Sequence, residues 1–112
     1  MSYSIAIWQA KIRELRALIA QLNGIISSCG SLKSSLQQIK NCTKEVIVNK
    51  EEYDKGKLES AMKVLDSTKS ECLTIISACN SKIAELERMI EVERRRLEEE
   101  ARHRREAEAQ NK

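Results

Sequence analysis

The 112-residue sequence has no proline and no phenylalanine, only three glycines, and 3% aromatic residues. Without proline or clustered glycine there is little to make the many turns of a sheet-rich fold. With so few aromatics, and a third of the residues charged, there is too little bulk for a thick globular core. No apolar run approaches the roughly 18 residues needed to span a bilayer. The first eleven residues, MSYSIAIWQAK, lack a basic start and a sustained apolar core, so they do not read as a secretory signal peptide. The expectation is a cytoplasmic protein, with export beside a partner as the other route open to it.

Charge of one sign is also scarce. The net charge is +3. Residues 1–50 hold seven Lys/Arg against two Glu, and residues 51–112 hold thirteen against fifteen acids. No arginine-rich face with interleaved aromatics appears, so the pattern is that of solvated helix faces and not of a nucleic-acid surface. The only histidine, His103, lies in a charged tail. The cysteines at 29, 42, 72 and 79 are spaced 13, 30 and 7 apart, with no C-x-x-C. That arrangement offers neither a metal-ligand set nor a thiol with a base nearby. The reading is a non-enzyme with no cofactor and no metal.

What the sequence does have is heptad periodicity. Ile5, Trp8, Ile12, Leu15, Ile19, Leu22, Ile26 and Cys29 alternate steps of three and four, the period of a coiled-coil seam. A second stripe runs Leu58, Met62, Leu65, Cys72, Ile76, Cys79, Ile83, Leu86, Ile90 and Leu97. Lys69 is its one polar seam position before residue 93. Between the stripes, Asn49 to Gly56 contains the best turn signal, with Tyr53 and Gly56 as its marker residues. The expected fold is all-α: a long antiparallel helical hairpin. Helix one spans about 4–48 with Ser4 as a candidate cap, the turn about 49–56, and helix two about 57–97 with Asp54 as a candidate cap. Residues 98–112 form a charged helical tail that frays, supported by acid–base pairs one turn apart.

Residues 23–35 carry two glycines and five serines. The apolar positions there step by three twice in succession, at 26, 29 and 32. A stammer of this kind overwinds or kinks a coiled coil, so helix one is expected to kink or break briefly near Gly30.

A turn centred at 54–57 sets the expected pairing. Cys29 then falls opposite Cys79, and Cys42 opposite Cys72, which makes these the candidate disulfides. The unequal spacings within the two arms, roughly 20 Å against roughly 10 Å of straight helix, oppose forming both. In a reducing compartment the thiols act as small apolar residues, with Cys29, Cys72 and Cys79 on the seam and Cys42 one residue off it. The same centre sets Ile5 and Trp8 opposite residues 100–109, which hold no apolar side chain larger than alanine. Ile5, Trp8, Ile12, Leu15 and Ile19 would then lack an intramolecular cover and form the site for another protein, while Leu65, Ile76, Ile83 and Leu86 hold the hairpin together.

Three segments carry a family resemblance: the Tyr3–Leu22 helix of the Ile-x-x-Leu kind, the stretch YDKGKLESAMKVLD at 53–66, and the Ile76, Cys79, Ile83, Leu86, Ile90 repeat. Together they resemble the YwqH-like small helical proteins encoded beside LXG-domain toxins of Gram-positive type VII secretion systems. The likeness is mainly architectural. Tyr53 stands where the related hairpins have tryptophan, two residues separate it from Gly56, the four cysteines have no counterpart, and no Tyr-x-x-x-Asp/Glu tail follows. The resemblance implies an adaptor or targeting chaperone. It would bind the helical N-terminal domain of a cognate LXG toxin, with a second small helical protein supplying the secretion signal. Two other readings stay open at this point: a disulfide-stapled hairpin of an oxidising compartment, and a homo-oligomeric structural coiled coil.

Overall fold

The computed structural model describes residues 3–46 and 55–111. They form two α-helices, α1 from Tyr3 to Val46 and α2 from Lys55 to Gln110. The expected all-α helical hairpin is what the chain adopts. Ser4 lies inside α1, one residue past its first described turn position, and so is not its cap. Lys55 and Gly56 already belong to α2, so Gly56 is not a turn residue. Tyr53, Asp54 and most of the expected turn lie outside the described residues. Helix α2 continues to Gln110, and Asn111 closes it with backbone bonds to the Ala107 and Glu108 carbonyls.

The expected break near Gly30 is absent. Helix α1 runs through Gly24 and Gly30 without interruption, and no described residue has a positive φ. The burial pattern gives the physical reason. Buried or half-buried positions on α1 continue past Cys29 at 33, 36 and 40, in the same alternation of four and three. Two lysines take the places where aliphatic residues were expected. Their stems lie along the seam and their ammonium groups reach out to carboxylates: Lys33 donates to both Asp66 oxygens at 2.9 and 3.0 Å, and Lys40 to Glu59 at 3.0 Å. Leu32, which produced the apparent stammer, is on the surface, as is Ile39.

The chain comprises two compact units. Unit one joins α1 up to Ala17 with α2 from Ala78 onward. Its seam buries Ile5, Ile12, Cys79, Ile83, Leu86 and Ile90, and Arg16 bonds Glu87 across the helices at 3.3 Å. Unit two comprises residues 18–77. There Lys33–Asp66 and Lys40–Glu59 run in opposite directions along the two helices, which makes the pair antiparallel. Its described residues include only three buried apolar side chains, Leu22, Cys29 and Cys72. The seam residues Ile19, Ile26, Leu36, Leu58, Met62, Leu65 and Ile76 are only half-buried. Two helices cannot enclose a layer on all sides, and no described side chain is more than 98% buried.

Lys69 was expected on the α2 seam. It is exposed, and its neighbour Thr68 is the half-buried one, with its hydroxyl donating to the Val64 carbonyl at 2.9 Å. A hydroxyl satisfied within its own helix can sit against apolar neighbours at little cost, whereas an ammonium cannot.

Candidate protein-docking site

In an antiparallel pair of heptad helices, the residue following each inner seam position on one helix faces its counterpart on the other. The residues preceding the outer seam positions line the opposite flank. Unit two divides its chemistry along that geometry. Asp66 and Glu59 follow Leu65 and Leu58, so the ion pairs to Lys33 and Lys40 lie on one flank. The opposite flank of α1 presents Leu18, Ile25 and Leu32, each seven residues after the last, with Ile39 next in the series. They are 39%, 45%, 52% and 47% exposed. Ala61, Thr68 and Ile75 occupy the matching positions on α2, and Ile75 and Val64 are exposed as well.

On α1 the surroundings of this stripe are also free of charge, while on α2 Glu71 borders Ile75. Between Arg16 and Asn41, the only charged residues of α1 are Lys33 and Lys40, both held on the other flank. The rest of the outward surface is Ala17, Ala20, Gln21, Gly24, Ser27, Ser28, Ser31, Ser34 and Ser35 with their neighbours. A Cβ built on Gly24 would meet nothing within 4 Å. The same holds at Gly30, and both glycines face solvent. An aliphatic heptad stripe bordered by small uncharged residues is a surface shaped to take another helix at close range.

The residues read from sequence as the partner site are placed differently. Ile5 and Ile12 are buried within unit one at 7% exposure each, and Trp8, Leu15 and Ile19 are half-buried. Trp8 lines a shallow groove with Glu85, Arg88, Met89, Val92 and Glu93. A second groove holds Ile12 and Ile90 between Arg13, Arg16, Glu87 and Arg94. The premise that the first two heptads lack an intramolecular cover therefore does not hold. The Arg16–Glu87 pair sets Ile5 level with about residue 98, beside half-buried Leu97 at the start of the tail, and not with residues 100–109. Sequence reasoning passed over Leu18 and Ile25 and assigned Leu32 to the seam. The signal available for them was the strict seven-residue spacing combined with the absence of charge around it.

The cysteines are four free thiols, three of them buried and Cys42 exposed. The expected pairs are not the ones the register brings level. With Lys33 opposite Asp66 and Lys40 opposite Glu59, Cys29 and Cys72 sit within two residues of the same height on the unit-two seam, while Cys42 is level with residues near 57. Exposure controls thiol reactivity here. With a thiol-modifying reagent on the native protein, Cys42 is expected to react first, with Cys29, Cys72 and Cys79 following only on unfolding. Mass spectrometry of the modified sites checks the order, and simultaneous labelling of all four contradicts it.

The charged stretch of α2 in unit one is held by local pairs. Arg96 donates to Glu93 one turn back and to Glu100 one turn on, and Arg95 and Arg102 bond Glu91 and Glu99. The hydrogen bond from Arg96 holds the Glu93 carboxyl below its ordinary range, against an opposing effect of partial burial, and the Arg96 charge lowers it further. The same pairing raises Arg96. These are helix-stabilising pairs of a few tenths of a kcal/mol each. Among the described residues no polar or charged side chain is buried, and no three His, Cys, Asp or Glu residues cluster to hold a metal ion. No described helix is long and apolar enough to cross a membrane. Comparison of the chain with protein-family models, with curated proteins and with solved structures returns no match.

Proposed function

We propose that this chain is a non-enzymatic interaction module: a helical hairpin whose unit-two flank is completed by helices from another polypeptide. One observation carries the reading. Leu18, Ile25 and Leu32 form an exposed heptad stripe on a stretch of α1 without neighbouring charges, over the part of the hairpin that buries fewest of its own side chains. The mechanism is coupled burial, in which helices laid along the stripe remove from water a surface that two helices alone cannot cover.

The resemblance noted above narrows the partner to the helical N-terminal domain of a cognate LXG-type toxin. The chain would keep that domain soluble in the cytoplasm and help present it for type VII export, together with a second small helical protein. The binding site moves, however, from the Trp8 region to the Leu18–Leu32 stripe. The test is a titration against the helical N-terminal domain of a cognate LXG-type toxin. Ile25→Glu with Leu32→Glu places two charges in the buried contact and is expected to weaken binding by about 100-fold or more while helical content stays constant. Unchanged affinity in that double variant overturns the reading.

A further inference from the structure

We infer that Cys29 and Cys72 form an oxidation site: a thiol pair that closes into one intramolecular disulfide across the unit-two seam. This property is independent of what docks on the outer flank.

Burial is the first argument. Both thiols lie in unit two. Among its described residues only Leu22, Cys29 and Cys72 are buried apolar side chains, the cysteines at 9% and 5% exposure. Leucine would bury more apolar surface at either place, so packing alone does not call for a thiol.

Register is the second argument. Lys33–Asp66 and Lys40–Glu59, at 2.9 and 3.0 Å, fix which turns of the two helices meet. In that register half-buried Leu36 and Leu65 fall in one layer of the seam. One heptad back along α1 stands Cys29, and one heptad on along α2 stands Cys72. They form the next layer of the same seam.

Distance is the third. The two positions differ in height by about two residues, roughly 3 Å of helix rise. Cα atoms ride on cylinders about 2.3 Å in radius, and packed helix axes lie about 8–10 Å apart. Facing seam positions with that offset bring their Cα atoms to roughly 4.5–6 Å, within the span of about 4.4–6.8 Å that a disulfide bridges. Cys72 and Cys79 are two turns apart on one helix, roughly 10 Å, which is too far. Cys42 is exposed.

The oxidant is a small-molecule disulfide. The thiolate of one cysteine attacks it, breaks its S–S bond, forms a mixed disulfide and releases one small thiolate. The second cysteine attacks the protein sulfur of that mixed disulfide, closes the Cys29–Cys72 bond and releases the second small thiolate. The two thiol protons and two electrons leave the protein as two small thiols. The new bond closes a loop of about 43 residues, which restricts the unfolded chain.

The experiment refolds the full chain from urea, at low protein concentration, in a buffer of oxidised and reduced glutathione, so that burial does not slow exchange. Acid quenching, alkylation and non-reducing peptide mass spectrometry with fragmentation then map the bonds. Cys29–Cys72 is expected to exceed every other protein disulfide. In an unfolded chain the short Cys72–Cys79 loop would close most readily, so dominance of Cys29–Cys72 reports the folded register. The oxidised chain should melt roughly 10 °C or more above the reduced one. A Cys42→Ala, Cys79→Ala variant should keep that shift, and Cys72→Ala should lose it. The wild-type bond map decides the matter by itself should a variant lose helicity. Predominance of Cys72–Cys79, Cys29–Cys79 or a bond between copies overturns the inference. So do Cys29 and Cys72 that stay reduced while Cys42 carries glutathione.

Discussion

Replacing Leu86 by alanine is expected to lower the unfolding free energy by about 3 kcal/mol. Leu86 is the most buried of the described side chains, at 4% exposure, and it sits in unit one between Ile83 and Ile90 on the α2 seam, with Ile5 and Ile12 buried on α1. The change removes three heavy atoms from the best-packed layer, and the loss combines lost transfer free energy with the cavity left behind. A two-helix layer can partly collapse into that space, which keeps the figure near the middle of the observed range of roughly 2–5 kcal/mol. Against a typical total of about 5–15 kcal/mol the loss is large, and for a chain of this size it corresponds to a fall of roughly 12 °C or more in the thermal midpoint. Circular dichroism at 222 nm during heating measures it. Exposed Val92, in the same unit, provides the comparison: Val92→Ala is expected to move the midpoint little. Equal effects at Leu86 and Val92 would mean that the seam is not where the structure places it.

The second large effect has the opposite sign. Lys33→Leu combined with Lys40→Leu is expected to stabilise the hairpin by about 2 kcal/mol. Both lysines occupy seam positions in unit two, with side chains 42% and 20% exposed. Each replacement exchanges a stem that must carry its charge back to water for a side chain that is apolar throughout. Half-burial of a leucine contributes roughly 1–1.5 kcal/mol, and the ion pair given up is a partly exposed one worth about 0–1 kcal/mol. Urea unfolding should show a higher midpoint with little change in slope. A drop in stability would mean that the pairs to Asp66 and Glu59 contribute more than partly exposed pairs ordinarily do. The stabilised variant should also be less particular about its pairing, because lysines opposite acids fix which turn of α1 meets which turn of α2.

These lysines also explain what the sequence revealed and what it hid. The two seams of unit one were legible, since Ile5 to Leu15 and Cys79 to Ile90 repeat in threes and fours without interruption. The register was not. The stretch from Asn49 to Gly56 has the polar residues and the glycine of a turn, and its centre was taken at 54–57. Lys55 and Gly56 are helical, and the pairs Lys33–Asp66 and Lys40–Glu59 are both centred near residue 50. Glycine is tolerated in a first helical turn, where few backbone bonds depend on it. A shift of about five residues in the centre was enough to set Trp8 against the tail and to pair Cys29 with Cys79. Hydrophobic spacing alone could not correct this, because each stripe matches itself again after seven residues. Charge could have done so: lysines at 33 and 40 and acids at 59 and 66 have the same spacing and opposite sign. The docking stripe was missed for a related reason. Leu32 and Ile39 were assigned to the seam as the only large apolar residues near their positions, and this hid the lysines that fill it.

The distribution of burial along the chain has a consequence for how the hairpin closes. In unit two the helices meet through residues 19 and 33 positions apart, at Lys40–Glu59 and Lys33–Asp66, while the Arg16–Glu87 contact of unit one spans 71. Short loops form with less entropy loss and close sooner, so the zipper starts in the segment with the least buried surface of its own. The residues that make closure thermodynamically worthwhile, Ile5 and Ile12 with Ile83, Leu86 and Ile90, meet last. A growing chain emerging from the ribosome can therefore close unit two well before residues beyond 90 have been made, and the final heptads act as the latch.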